Sequence, residues 1–227
     1  MSERFLSKEE VRSFYDRFGS KQDWQRFYEG PALRSLLLHS RMGQAASVFE
    51  LGCGTGAFAL DLLRKHLPES ASYVGVDMSS SMVALTRQKL THFAERSKVV
   101  QTDGSLRFDF PDGSFDRFIA NYVLDLLSPD DIITVLSEAQ RLLRSGGLLC
   151  LVSLTAGQTT VSRVITRLWR CVHNRNPGLV GGCRPLELRA FFHDDQWGRI
   201  FHGVVNSLGI ASEIVIAAKN SRNTVGI

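Results

Sequence analysis

The chain has 227 residues, 44% hydrophobic and 22% charged, with a formal net charge of +4, which suits one globular domain with a sizeable core. No apolar run is long enough to span a bilayer, the N-terminus MSERFLSKEEVRSF is too charged for a secretory signal, and Glu3, Glu9 and Glu10 argue against a mitochondrial presequence. Cys53, Cys150, Cys171 and Cys183 lack CxxC spacing, so a reduced cytoplasm and no metal site are expected; the mild charge, without a basic tail, argues against nucleic acid.

Ser7 to Glu10 forms a capping-box pattern, and Val11, Phe14, Tyr15 and Phe18 recur at helical spacing behind it. Two further helical stretches start at Asp23 and at Pro31. From residue 47 strands and helices alternate: SVFELG, then AFALDLLRKH; SYVGVD, then SSMVALTRQKLTHFAER; SKVVQTD; SFDRFIANYV after the turn PDGS; DDIITVLSEAQRLLR; and LLCLVSL. Strands separated by helices imply a mostly parallel sheet with helices on both faces. After a helical segment around PLELRAFF, the strands GRIFHGVVNS and ASEIVIAAK are joined only by LGI. So short a link permits only a hairpin, giving a seven-stranded Rossmann-like α/β fold closed by an antiparallel pair.

The stretch VFELGCGTG places Gly52, Gly54 and Gly56 at alternate positions. Glycine costs roughly 0.5–1 kcal/mol relative to alanine in regular structure, so three together indicate a tight turn or close approach to a ligand. The loop leaves the first strand at the sheet edge where open α/β folds bind ligands. Read as Gly52-x-Gly54-x-x-Ala57 it fits a dinucleotide fingerprint with Asp77 on a ribose; read as Glu50-x-Gly52-x-Gly54-x-Gly56 it fits a methyltransferase motif. The glycines alone do not choose.

With YVGVDMSSSM, TDGS, FPDGSFDRFIANYVLDLL and LLRSGGLLCLVSL following in order, residues 47–155 resemble the class I S-adenosylmethionine-dependent methyltransferases, most of all the ubiquinone/menaquinone-biosynthesis type (the methyltransferase type 11 group). The resemblance implies an enzyme that binds S-adenosylmethionine and methylates a small molecule. It assigns the ribose hydroxyls to Asp77, the adenine to Met78, Met82, Asp103 and Gly104, the ammonium end to Glu50, and the methionine arm to Gly52, Gly54, Gly56 and Asn121. Tyr15 would lie on an N-terminal helix closing over the cofactor. Plainer roles compete: Asp77 as a helix cap, Asp103 as a turn residue, Met82 as core packing. An NAD(P)-dependent oxidoreductase and a non-catalytic cofactor-binding protein are the alternatives.

The acceptor side is less defined. NYVLDLL carries no histidine where relatives often have one, leaving Asp125 and Tyr15 nearest and the catalytic residue unassigned. The absence there of an Asn/Asp-Pro-Pro-aromatic motif or a Pro-Cys pair argues against methylation of adenine amino groups or cytosine C5. In TTVSRVITRLWRCVHN, Val161, Val164, Ile165, Leu168, Trp169 and Val172 share one helical face and Arg163, Arg167 and Arg170 another. This segment reads as packing, as a lid over an apolar or anionic acceptor, or as a membrane contact. Asp125, Trp169 and Arg184 are the acceptor-side candidates. The expected layout is a helical cap (1–44), a cofactor core (45–155), an acceptor lid (156–184) and a closing helix and hairpin (185–227).

Overall fold

The computed structural model describes residues 5–19, 22–23, 26–192 and 196–220. Seven strands form one sheet: β1 (Ser47–Leu51), β2 (Ser72–Asp77), β3 (Ser97–Gln101), β4 (Phe115–Asn121), β5 (Leu143–Leu154), β6 (Trp197–Ser207) and β7 (Ile210–Lys219). Their order is β3-β2-β1-β4-β5-β7-β6, with β7 antiparallel to both of its neighbours and the rest parallel. The helices are α1 (Lys8–Phe18), α2 (Arg26–His39), α3 (Ala57–Lys65), α4 (Ser80–Lys89), α5 (Pro129–Leu142) and α6 (Thr160–Arg175).

Strand alternation sends successive side chains to opposite faces, and two cores follow from it. Val48, Tyr73, Ile119, Cys150 and Ile216 pack with α2, α3 and α4 on one face. Phe49, Val76, Phe118, Leu149 and Val215 pack with α5 on the other. On that second face a phenylalanine-rich loop stands between β3 and β4 where a helix would complete the alternation. Its backbone is pinned by α5: Glu138 accepts from the Phe108 N–H at 2.9 Å, and Arg141 donates to the carbonyls of Phe110 and Phe108 at 2.7 and 2.8 Å.

Three expectations need correction. The helical stretches expected from Asp23 and from Pro31 are one helix through Pro31, although Trp24 and Gln25 lie outside the described residues. Proline cannot supply the N–H that would bond the carbonyl of Phe27; the Ser207 hydroxyl reaches that carbonyl instead, at 3.5 Å. The closing helix around PLELRAFF is only a 3₁₀ turn, Leu188–Phe191. Its backbone is committed elsewhere, Leu186 N–H to the Leu154 carbonyl at 2.7 Å and Leu188 N–H to Glu213 at 2.8 Å. Finally, α4 stops at Lys89, and Thr91–Phe93 forms a separate 3₁₀ turn.

Candidate active site

A cavity of about 160 Å³ opens at the C-terminal ends of β1, β2 and β4, walled by Gly52, Gly54, Asp77, Met78, Gly104 and Asn121 among others. The glycine loop shapes its floor. Gly52, Gly54 and Gly56 all have positive φ, of 69°, 53° and 75°. A Cβ on Gly52 would overlap Val123, and one on Gly54 would come within 2.9 Å of the Gln22 side-chain oxygen. Gly56 serves differently: it stands outside the wall, and its missing Cβ makes room for Thr86 of α4, 2.9 Å away. Thr86 in turn donates to the Gly54 carbonyl at 2.6 Å, fixing the loop against that helix.

Asp77 ends β2 at the cavity wall. Its two carboxylate oxygens accept from the N–H groups of Gly54 and Ser79, each at 2.9 Å, so it braces the loop while also starting α4. Burial raises its pKa, and the backbone donors of Ser79, Gly54 and Met78 pull it back. Glu50 sits one layer behind the wall, 2% exposed, accepting from the Tyr73 hydroxyl at 2.5 Å. Burial pushes its pKa up to about 7 against the opposing pull of Tyr73. Asn121 also lowers the Glu50 pKa, yet its amide lies outside normal hydrogen-bond geometry: both amide atoms are buried and without a partner.

The N-terminal segment closes the site. Phe5, Leu6, Lys8, Val11, Tyr15 and Gln22 all line the cavity. Asp16 clamps α1 to the start of α4, accepting from the Ser79 hydroxyl at 2.6 Å and the Ser81 N–H at 3.2 Å. The Ser79 hydroxyl is the main cause of a lowered Asp16 pKa. Asp23 adds a second tie, accepting from the Thr55 hydroxyl at 2.5 Å and from Lys89 at 2.8 Å.

The remaining expected residues divide. Met78 and Gly104 line the cavity, and a Cβ on Gly104 would lie 3.0 Å from the Met78 methyl. Met82 is 1% exposed inside α4 and absent from the wall, so its placement is that of core packing. Asp103 is exposed and accepts from the Ser105 N–H at 2.7 Å, the geometry of a local turn, while its neighbours Thr102 and Gly104 face the cavity.

Asp125, Trp169 and Arg184 form a layer beyond the cavity and do not line it. Asp125 is fully buried in the turn after β4; neither of its oxygens has a normal hydrogen bond, and burial pushes its pKa up to about 7. The Arg184 N–H donates to the Asp125 carbonyl at 3.1 Å, and its guanidinium donates to the Leu127 carbonyl at 2.9 Å. Trp169 donates from its indole to the Cys183 carbonyl at 2.8 Å, and the Tyr15 hydroxyl meets the Cys183 thiol at 4.0 Å. Loop 181–184 thus bridges α6, α1 and the β4 turn.

Sequence reasoning missed Tyr122, which lines the cavity with φ 55° and shares a 2.8 Å hydrogen bond with Ser212. A positive φ at a non-glycine residue has no signature in the string NYV. It also missed the cap ties Asp16 and Asp23, the cavity-lining Gln22, and, at the rim, Asp131, which accepts from the Ser128 hydroxyl. A serine followed three residues later by an acid, Ser128 to Asp131, was the available signal for the last.

The residues present fit S-adenosylmethionine. The buried, unpartnered Asn121 amide offers both a donor and an acceptor at the wall, Asp77 offers a carboxylate, and the glycines leave backbone where side chains would fill the space. No group of three or more His, Cys, Asp or Glu that could hold a metal occurs among the described residues.

Comparison with known proteins agrees. Residues 48–147 match the family model described as a methyltransferase domain. A tRNA N(3)-methylcytidine methyltransferase of Drosophila melanogaster is 33% identical over 144 residues, 60% of this chain and 44% of that protein. A demethylmenaquinone methyltransferase of Lactococcus lactis is 33% identical over 109 residues, 47% of this chain and 42% of that protein. The chain therefore spans less than half the length of these relatives. Among solved structures, the N-methyltransferase NodS of Bradyrhizobium japonicum in complex with S-adenosyl-L-homocysteine superposes with a TM-score of 0.71 at 17% identity, covering 93% of this chain and 100% of that one. Residues 48–147 are thus similar in sequence to a methyltransferase domain, and the strand order with its antiparallel β7 belongs to a fold shared with NodS.

Proposed function

We propose that this chain binds S-adenosylmethionine in the cavity at the ends of β1, β2 and β4 and catalyses methyl transfer to a small-molecule acceptor by in-line displacement. The observation that carries the reading is the Asn121 amide, both of whose polar atoms are buried without a normal hydrogen bond in the wall of the cavity that Asp77 also lines. The bound cofactor supplies the electrophilic methyl. Asp77 accepts from the ribose hydroxyls, Asn121 and the ionised Glu50 serve the amino acid end, and Met78 and Gly104 flank the adenine. The N-terminal cap, held by Asp16 and Asp23, excludes water. Displacement at a sulfonium needs alignment above all, and orientation alone is worth roughly 7–11 kcal/mol.

The acceptor is proposed to enter on the side of residues 156–184, with Asp125, Trp169 and Arg184 supporting the loop that faces it. A small apolar molecule suits the predominance of Leu, Val and Phe at this end of the cavity, where Phe5, Leu6, Val123, Leu126 and Leu127 meet. Isothermal calorimetry with S-adenosylhomocysteine, NADH and NADPH tests the cofactor. Release of S-adenosylhomocysteine across quinol, phenol, amine and cytidine-containing RNA acceptors tests the chemistry. Tight binding of a nicotinamide cofactor alone would return the oxidoreductase reading; turnover on RNA alone would replace the small-molecule acceptor.

A further inference from the structure

The helix α6 carries an apolar surface that the methyltransferase reading does not use. Val161, Val164, Leu168 and Val172 recur at spacings of three and four and are 65%, 50%, 62% and 38% exposed. The face of α6 that does pack is a different one, built from Ser162, Ile165, Trp169 and His173. The sheet extends the stripe: Gly209, in the β6–β7 turn, sits so close that a Cβ there would overlap Ile165 and lie 3.7 Å from Val161. Next to it Leu208 is 77% exposed with φ 50°, a conformation in which a branched apolar side chain has no local reason to stand.

The charge carried by α6 itself has one sign. The sequence of α6, TVSRVITRLWRCVHNR, contains four arginines and no acid. Arg163, Arg167 and Arg170 line one flank, Arg175 stands at the end of the stripe, and all four are exposed with no ion pair among the described residues. The β6–β7 turn lies at the end of β5, on the same edge of the sheet as the cavity.

We propose that α6 and the Leu208 turn form a docking surface for an anionic lipid bilayer, with the valine–leucine stripe entering the headgroup boundary and the arginines meeting lipid phosphates. A second copy of this chain is disfavoured as occupant: stripe against stripe would gather the arginines of two helices with no acid on either to pair them. No helix of the described residues is long and apolar enough to cross a membrane, so the contact is peripheral. The proposal is independent of the cofactor reading.

Sedimentation of the full chain with vesicles tests it. We expect binding to vesicles of equal parts phosphatidylcholine and phosphatidylglycerol, little to phosphatidylcholine alone, and weakening as salt is raised. Val164→Ser with Leu168→Ser, and separately Arg163→Gln with Arg167→Gln, should each lower partitioning about tenfold or more. S-adenosylhomocysteine affinity should be unchanged in both, which also certifies the fold. No partitioning by the parent chain, or partitioning that neither variant alters, would overturn the proposal. So would a dimer in light scattering that dissolves in the Leu168→Ser variant while vesicles capture nothing. Loss of cofactor binding by the parent chain would instead count against the methyltransferase reading and leave the vesicle result to stand alone.

Discussion

Tyr73 donates its hydroxyl to Glu50 at 2.5 Å by leaning over Gly75, the residue paired directly with Glu50 across β1 and β2. A Cβ on Gly75 would sit 2.6 Å from that hydroxyl and 3.0 Å from the Cys53 Cβ. The glycine is what allows a buried carboxylate to have its donor. Gly75→Ala should therefore cost roughly 1–3 kcal/mol in denaturant unfolding and raise the Glu50 pKa further. Tyr73→Phe should reproduce the pKa change without the clash, as read by carbon NMR titration of the Glu50 carboxyl.

Glu50 also gives the site a pH dependence of definite sign. Its pKa rises from 4.5 to about 7 on folding, so the fold favours the protonated form. The contribution of Glu50 to the stability of the free protein should be complete below pH 4.5 and be lost as pH climbs through 7, by roughly 3 kcal/mol for full ionisation. Asp125, also pushed up to about 7, adds in the same direction. A cationic ligand end reverses the preference at Glu50, so cofactor binding near pH 6 should release a proton. Calorimetry in buffers of different ionisation enthalpy measures this; Glu50→Gln should abolish the release and stabilise the free protein at pH 8.

Asp77→Ala should weaken S-adenosylhomocysteine binding by several kcal/mol, since charge-assisted hydrogen bonds contribute about 1.5–3 kcal/mol each. The structure adds a second cost, because the Gly54 and Ser79 N–H groups lose their acceptor. Asp77→Asn retains one acceptor oxygen and should fall between. Asp103→Ala, at an exposed turn, should be milder than either; a larger loss in calorimetry would reverse the ranking.

Gly54→Val should reduce cofactor binding far more than stability. Its φ of 53° disfavours a branched side chain, and the added carbons meet Gln22, where the N-terminal cap lies over the loop. Limited proteolysis should show the segment before residue 26 cut faster in the variant. Binding at the parent affinity would mean the cap is dispensable to the site.

Trp169→Ala removes the 2.8 Å bond to the Cys183 carbonyl and loosens loop 181–184. We expect a lower kcat/KM for a true acceptor, with the cofactor Kd changed less than threefold, about 0.6 kcal/mol. A large loss of cofactor affinity would place that loop in the cofactor site.

The parts legible in the sequence were those with a local cause. Ser7 and Glu10 make both arms of their capping box, Ser128 caps α5, and the LGI link does form a hairpin, because each depends on neighbours in the chain. Asp77, Gly52 and Gly54 line the cavity at the strand ends, a position that follows from their place just after β1 and at the end of β2. The misses depended on partners far away. Nothing local to Pro31 announces that Ser207 will satisfy Phe27, and nothing in PLELRAFF announces that Leu154 and Glu213 will take its N–H groups. The six apolar residues on one predicted face of α6 likewise split: Ile165 and Trp169 turn inward, while Val161, Val164, Leu168 and Val172 face outward. Periodicity finds an apolar stripe but not which side of it meets the protein.

The position of β7 sets an order of assembly. Because β7 inserts between β5 and β6, the interior of the sheet is completed by a strand that is made after both of its neighbours. Strands β1 to β5 can pair as they emerge, but β5 then waits with an open edge carrying Leu149, Cys150, Leu151 and Val152, all fully buried at the end. During that interval the nascent chain has an unprotected apolar border and an unpaired strand edge, the kind of surface on which chaperones act. A change that slows the β6–β7 turn, such as replacing Gly209, would lengthen that exposure and lower the yield of folded protein even where the finished molecule tolerates it.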